Sequence, residues 1–160
     1  FCNHLFYCGI LPRIKYYRNK IKRGSKFGAS FYLQRLRSDN GCLLVKDYDE
    51  TIEFYTKQLG FEVSMDRKFG ENQRWVSIKL TNSSLELSLG LVNTQEDTIL
   101  VGKQGGIFPF FVITTSNFDV TYQKLVSNGV AFIDKPKKNP WGTTAILTDL
   151  YGNQILLKGN

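Results

Sequence analysis

The feature that most constrains this chain is a pattern that occurs twice. Residues 45–63 read as the end of a strand, a capped helix and the start of a second strand. The same succession returns with Gly129 in the place of Gly60, an offset of 69 residues that sets Leu59-Gly60-Phe61 on Asn128-Gly129-Val130. A repeat of this kind requires each copy to be a supersecondary unit that leans on the other to bury its apolar face.

In the first copy, Asp47 or Asp49 can accept from the free N–H groups of the first helical turn, and Asp49, Glu50 and Glu53 put negative charge at the positive end of the helix dipole. Ile52, Tyr55 and Leu59 fall on one face with Phe54 beside it, and Gly60 supplies the stop. The helix is expected over residues 48–59, between strands at 41–46 and 61–66. Residues 74–80 then alternate, with Val76, Ile78 and Leu80 on one side and Trp75, Ser77 and Lys79 on the other. Residues 85–91 repeat the alternation more sharply, with leucine at 85, 87, 89 and 91 against Glu86, Ser88 and Gly90. The order is βαβββ.

Residues 92–106 are polar and glycine-rich and read as a linker. The second copy supplies a strand at 107–115, a helix at 118–127 with Phe118, Tyr122 and Leu125 on one face, and strands at 130–134, 143–148 and 154–158. The fold class expected is therefore α+β: two βαβββ modules, 39–91 and 107–160, forming a curved mixed sheet around a concave pocket within one domain, 39–160. At 160 residues, 42% of them hydrophobic, the chain is long enough for one well-buried core.

The net charge of +7 belongs to one end. Residues 1–40 hold nine Lys/Arg and the single acid Asp39, which leaves the remainder nearly neutral. Residues 1–38 carry their apolar residues first and their basic ones second, the reverse of a secretory signal, and are expected to be a basic extension, native or not. Nucleic-acid binding through residues 13–26, seven of them basic with Tyr16 and Tyr17 interleaved, is the minor alternative. The longest apolar run, residues 107–113, is too short to span a membrane. Three cysteines, Cys2, Cys8 and Cys42, form no disulfide framework and no zinc spacing, so reduced thiols in a cytoplasmic setting are expected.

Taken together, Val45-Lys-Asp47, residues 52–61, Arg74-Trp75, residues 85–88, Asn128-Gly129, Pro140-Trp-Gly142 and Asp149-Leu-Tyr-Gly-Asn153 make the chain resemble the vicinal oxygen chelate superfamily: glyoxalase I, the bleomycin-resistance proteins and the extradiol dioxygenases. The resemblance runs from about residue 40 to the C-terminus. It implies four metal ligands, His, Gln or Glu, on the first and last strands of each module, and a metal that polarises vicinal oxygens of the substrate. Counting along the motifs puts those positions on Asn40, Glu86, Phe110 and Leu156. Only Glu86 is an ordinary ligand; neighbours Pro109, Phe111, Ile155 and Leu157 offer no substitute, and the single histidine is His4. No cofactor is therefore expected, with a divalent metal recruiting Asp149 or Gln154 as the alternative.

What alternation turns inward is Cys42, Leu44, Trp75, Ser77, Lys79, Glu86 and Ser88 from the first module. From the second it is Phe108, Phe110, Val112, Leu156 and Lys158, with Trp141 and Tyr151 on nearby loops. Such a lining suits a small aromatic or amphipathic molecule, bound by stacking and one or two polar anchors, with Phe108 and Phe110 as plugs of the metal space the competing reading. Among aromatics, Glu86 would have a raised pKa and could act as a base; pairing with Lys79, Lys158 or Arg74 across the sheet is the favoured reading. The leading expectation is a metal-independent small-molecule-binding relative of the bleomycin-resistance proteins. The alternative is a glyoxalase-type lyase or isomerase using Glu86 as base or metal ligand. The family commonly forms dimers, pairing modules between chains or within one, and both arrangements stay open.

Overall fold

The structure is a computed structural model that describes residues 40–70 and 73–159. The basic segment 1–38, and with it residues 13–26 and His4, lies outside the described residues.

Each module is a four-stranded sheet with one long helix. The first contains β1 (Asn40–Val45), α1 (Tyr48–Lys57), β2 (Glu62–Lys68), β3 (Arg74–Lys79) and β4 (Glu86–Leu91), in the sheet order β1-β4-β3-β2. After a short helix α2 (Gln95–Thr98) the second contains β5 (Phe111–Thr115), α3 (Phe118–Ser127), β6 (Lys137–Asn139), β7 (Gly142–Thr148) and β8 (Gln154–Gly159), in the order β5-β8-β7-β6. The first and last strands of each module run parallel and the others antiparallel. The doubled βαβββ order read from the sequence is present in both halves.

Of the two candidate caps for α1, Asp47 is the one used: its carboxylate accepts from the Glu50 N–H at 2.8 Å. Asn117 does the same for α3, accepting from Val120 N–H at 3.2 Å. Both helices unwind into a glycine with positive φ, Gly60 at 77° and Gly129 at 85°.

The apolar faces of both sheets close on a single core. Leu43, Val45, Val76, Ile78, Leu87 and Leu89 meet Tyr55, Leu59 and Phe61, and the same cluster continues through Phe118, Leu125, Val130, Ala145, Leu147, Ile155 and Leu157. Phe61 meets Phe111 edge to face across the modules at 6.3 Å. Polar ties add direction. Tyr151 Oη lies 3.2 Å from both the Asp47 N–H and Thr51 Oγ1, and Asn128 Nδ2 donates to the Gln58 carbonyl at 3.0 Å.

Two strands depart from the expectation. The strand expected at 130–134 survives only as a bridge between Phe132 and Leu147, with Ile133 N–H donating to the Ile146 carbonyl. The Asp134 carboxylate accepts from Ile146 N–H at 2.8 Å, so a side chain takes the place of a ladder carbonyl, and Pro136 can donate nothing. Pairing resumes at β6, inside what reads in the sequence as a loop. The strand expected at 107–115 begins at Phe111, because residues 103–108 are held in turns by Gly106 N–H to the Lys103 carbonyl and Phe108 N–H to the Gly105 carbonyl.

Candidate functional site

The site follows from register. With Val76, Ile78, Leu87 and Leu89 in the core, the residues between them on β3 and β4 face the other way. Lys79 stands opposite Glu86, and Glu86 opposite Asn40 on β1. Ser77 stands opposite Ser88, and Ser88 opposite Cys42. Trp75 and Leu44 lie half-buried on the same side. Ser77 and Ser88 are buried although they belong to the face turned away from the core.

A bulge completes the arrangement. Pairing of β2 with β3 steps from Val63 opposite Ile78 to Met65 opposite Ser77, leaving Ser64 as the extra residue. Its hydroxyl reaches the Glu86 carboxylate, donating to Oε1 at 2.6 Å and lying 3.0 Å from Ser77 Oγ. Ser77 Oγ donates to the same Oε1. Two hydroxyl donors thus converge on one carboxylate oxygen.

Those donors decide the acid's character. Hydrogen bonds from Ser64 and Ser77 hold Glu86 below the ordinary 4.5, outweighing the opposite effect of burial, with Lys79 adding a smaller pull in the same direction. The raised pKa of the base reading is not what these surroundings produce, because the neighbours that matter are hydroxyls rather than aromatic rings. Nor is Arg74 its partner. That guanidinium is committed to Asp66, through Nε at 2.8 Å and Nη2 at 2.7 Å, and to Asp49 at 2.9 Å, with its Cζ over the Tyr48 ring, 5.5 Å from the centroid.

The second module presents Val112 opposite Leu156, Thr114 and Thr144 opposite Lys158, and Gln154 opposite Thr148. Leu156 and Lys158 are half-buried on this face, as alternation implied. The aromatics are placed differently. Phe110 packs against the core, edge-on to Phe111 at 5.7 Å, while Phe108 is exposed in the turn ahead of β5 and Trp141 is exposed in the two-residue connection from β6 to β7. Tyr151 caps α1 rather than lining a face.

Register shows how the implied ligand positions lie on the second sheet. Phe110 N–H donates to the Gln154 carbonyl at 2.7 Å and Phe111 stands opposite Ile155, so the position facing Phe110 is Gln154, two residues before Leu156. The chain between paired positions is two residues shorter in the second module than in the first. The set that the resemblance implies, Asn40, Glu86, Phe110 and Leu156, holds one carboxylate and one amide beside a phenyl ring and an aliphatic side chain. Among the described residues no group of three His, Cys, Asp or Glu is placed to hold a metal ion. This donor set does not fit the centre that the resemblance implies.

Comparison with known proteins bears directly on the fold. Residues 37–157 match the model of the Glyoxalase/Bleomycin resistance protein/Dioxygenase superfamily. The chain belongs to that superfamily. An uncharacterized protein of Shewanella frigidimarina (strain NCIMB 400) is 34% identical over 114 residues, 70% of this chain and 84% of its own. Among solved structures, UcmS2 is 30% identical with a TM-score of 0.69, covering 79% of this chain and 99% of its own. TnmS3, described as an antibiotic binding protein from Streptomyces sp. CB03234, is 26% identical with a TM-score of 0.64 over 78% of this chain and 95% of its own. The superfamily spans binding proteins and enzymes, so its fold leaves the chemistry to the residues described above. No helix of the described residues is long and apolar enough to cross a membrane.

Sequence reasoning placed Trp75, Ser77, Lys79, Glu86 and Ser88 on one face, where the register puts them. It missed Ser64. The signal was present in the alternation of β2, where Ser64 shares a side with Glu62, and Glu62 pairs with Lys79.

Proposed function

We propose that this protein is a metal-independent binding member of its superfamily, taking a small aromatic or amphipathic molecule on the non-core face of the first sheet. Glu86 carries the reading. A carboxylate held ionised by two hydroxyl donors is a fixed hydrogen-bond acceptor and a weak proton acceptor at neutral pH, which suits recognition better than general-base catalysis. Trp75 and Leu44 supply apolar area farther along the same face, and the antibiotic-binding description of TnmS3 supports the same direction by analogy. In the lyase or isomerase alternative Glu86 would be a weaker base than an ordinary carboxylate, and the implied donor set would offer a metal only one carboxylate.

Isothermal titration of the metal-stripped protein against a panel of planar aromatic compounds tests the function. Saturable binding that metal addition leaves unchanged is expected; binding that appears only with added divalent metal, or steady consumption of a 2-oxoaldehyde thiol adduct, would overturn it.

A further inference from the structure

The charge row beside Glu86 narrows the ligand class. Reading across the register, Glu62 stands opposite Lys79 and Lys79 opposite Glu86, so one lysine lies between two carboxylates on the same face. It forms no ion pair within 4.0 Å with either among the described residues, and each acid is served by hydroxyls instead: Glu62 by Thr81 Oγ1 at 2.7 Å, Glu86 by Ser64 and Ser77. Both donors to Glu86 go to Oε1. Oε2 is left with no hydrogen-bond donor among the described residues. The other cation nearby, Arg74, is held by Asp49 and Asp66.

A half-buried carboxylate with one oxygen pinned and the other unserved by a cation is an incomplete ion pair. A charge-assisted hydrogen bond is about twice as strong as a neutral one, so a ligand ammonium completes this site with more gain than a hydroxyl would, whereas a ligand carboxylate is repelled. Ser64 and Ser77 hold the acceptor still, so little ordering is needed when the ligand arrives. We propose, resting on the binding function above, that the ligand of this face carries a protonated amine beside its aromatic body, and that Glu86 is the residue that selects it.

Three probes with one ring system separate the possibilities: 1-naphthylmethylamine, 1-naphthylmethanol and 1-naphthaleneacetate, titrated by naphthalene fluorescence at pH 7 and low salt. The amine is expected to bind about tenfold more tightly than the alcohol, with the acetate weakest. In Glu86→Gln, which keeps the size of the side chain, the amine should fall to the level of the alcohol while the alcohol is unchanged, with thermal unfolding reporting that the variant is folded. Ser64→Ala should reduce the amine preference in part. Equal affinity of all three probes would overturn the amine anchor and leave the small-molecule reading standing. Failure of every probe to bind at millimolar concentration would overturn both, and an amine preference that persists in Glu86→Gln would move selection to another residue.

Discussion

Tyr55 on α1 donates its phenolic hydroxyl to Oδ2 of Asp149, in the turn between β7 and β8, across 2.9 Å of protein interior. Both side chains are buried, and they belong to different modules. The carboxylate also accepts from Asn153 Nδ2 at 2.9 Å, from Asn153 N–H at 2.8 Å and from Tyr151 N–H at 3.0 Å. The shared core therefore contains a closed polar joint, and removing one member leaves an acceptor partly unserved.

Tyr55→Phe should lower the unfolding free energy by about 1–3 kcal/mol without changing the fold. The same bond has a pH signature. Burial first, and then Asp149, pushes the Tyr55 hydroxyl well above the ordinary 10.0. Above pH 10 the unfolded chain releases this proton while the folded chain keeps it, so ionisation favours unfolding. Stability should be constant below that pH and fall as the pH climbs toward the folded value. Denaturant titrations from pH 8 to 11 should show this extra slope in the native protein and a shallower one in Tyr55→Phe.

Glu86 provides the acidic counterpart. Its pKa is depressed in the fold, so its contribution to stability is present above 4.5 and is lost as the pH falls through the folded value. Ser64→Ala and Ser77→Ala each remove one donor and should bring the titration back toward 4.5. Carboxyl carbon NMR of Glu86 follows this directly, and an unchanged midpoint in both variants would mean that the hydroxyls do not set it.

Gly102 and Gly60 share a positive φ, 80° and 77°, yet their substitutions should cost different amounts. At Gly60 a Cβ meets nothing within 4 Å, so alanine bears only the strain of its backbone angle, about 1 kcal/mol. At Gly102 the same atom would sit 1.9 Å from the Tyr151 carbonyl oxygen, which is main chain and cannot swing aside. Gly102→Ala should therefore cost more than about 3 kcal/mol and loosen the linker from the β7–β8 turn. Chemical denaturation of the two variants side by side gives the comparison.

Gln104 should protect β1 from exchange. The outer edge of that strand has no neighbouring strand in its sheet, and the Gln104 side chain fills two of its places: Oε1 accepts from Leu44 N–H at 2.7 Å and Nε2 donates to the Cys42 carbonyl at 2.9 Å. In Gln104→Ala the Leu44 amide should exchange markedly faster, by an amount corresponding to about 1–3 kcal/mol of lost local stability, while amides of β7 and β8 stay protected.

Much of the architecture could be read before the coordinates. Leu87 and Leu89 point to the core and Glu86 and Ser88 away from it because a strand's period of two leaves little choice, and the repeat of Gly60 at Gly129 placed the two long helices, whereas the short α2 lies inside what reads as a linker. Two features resisted for one common reason, that they depend on which atom meets which across long separations. Asp134 looked like the end of a strand because nothing local says that its carboxylate will stand in for a carbonyl. The bulge at Ser64 interrupts an alternation that is flawless on paper, and it turns Asp66 toward Arg74.

The contact of Gln104 with β1 has a consequence for chemical ageing. A glutamine side chain can imitate a strand edge because its amide, like a peptide group, offers a donor and an acceptor side by side. Deamidation exchanges one nitrogen for oxygen. At Gln104, which is followed by the side-chain-free Gly105, that change would set an oxygen against the oxygen of Cys42 and open the edge of the sheet that carries Glu86. A mass increase of about one dalton on the peptide containing Gln104 would then mark the molecules whose β1 edge is unlatched.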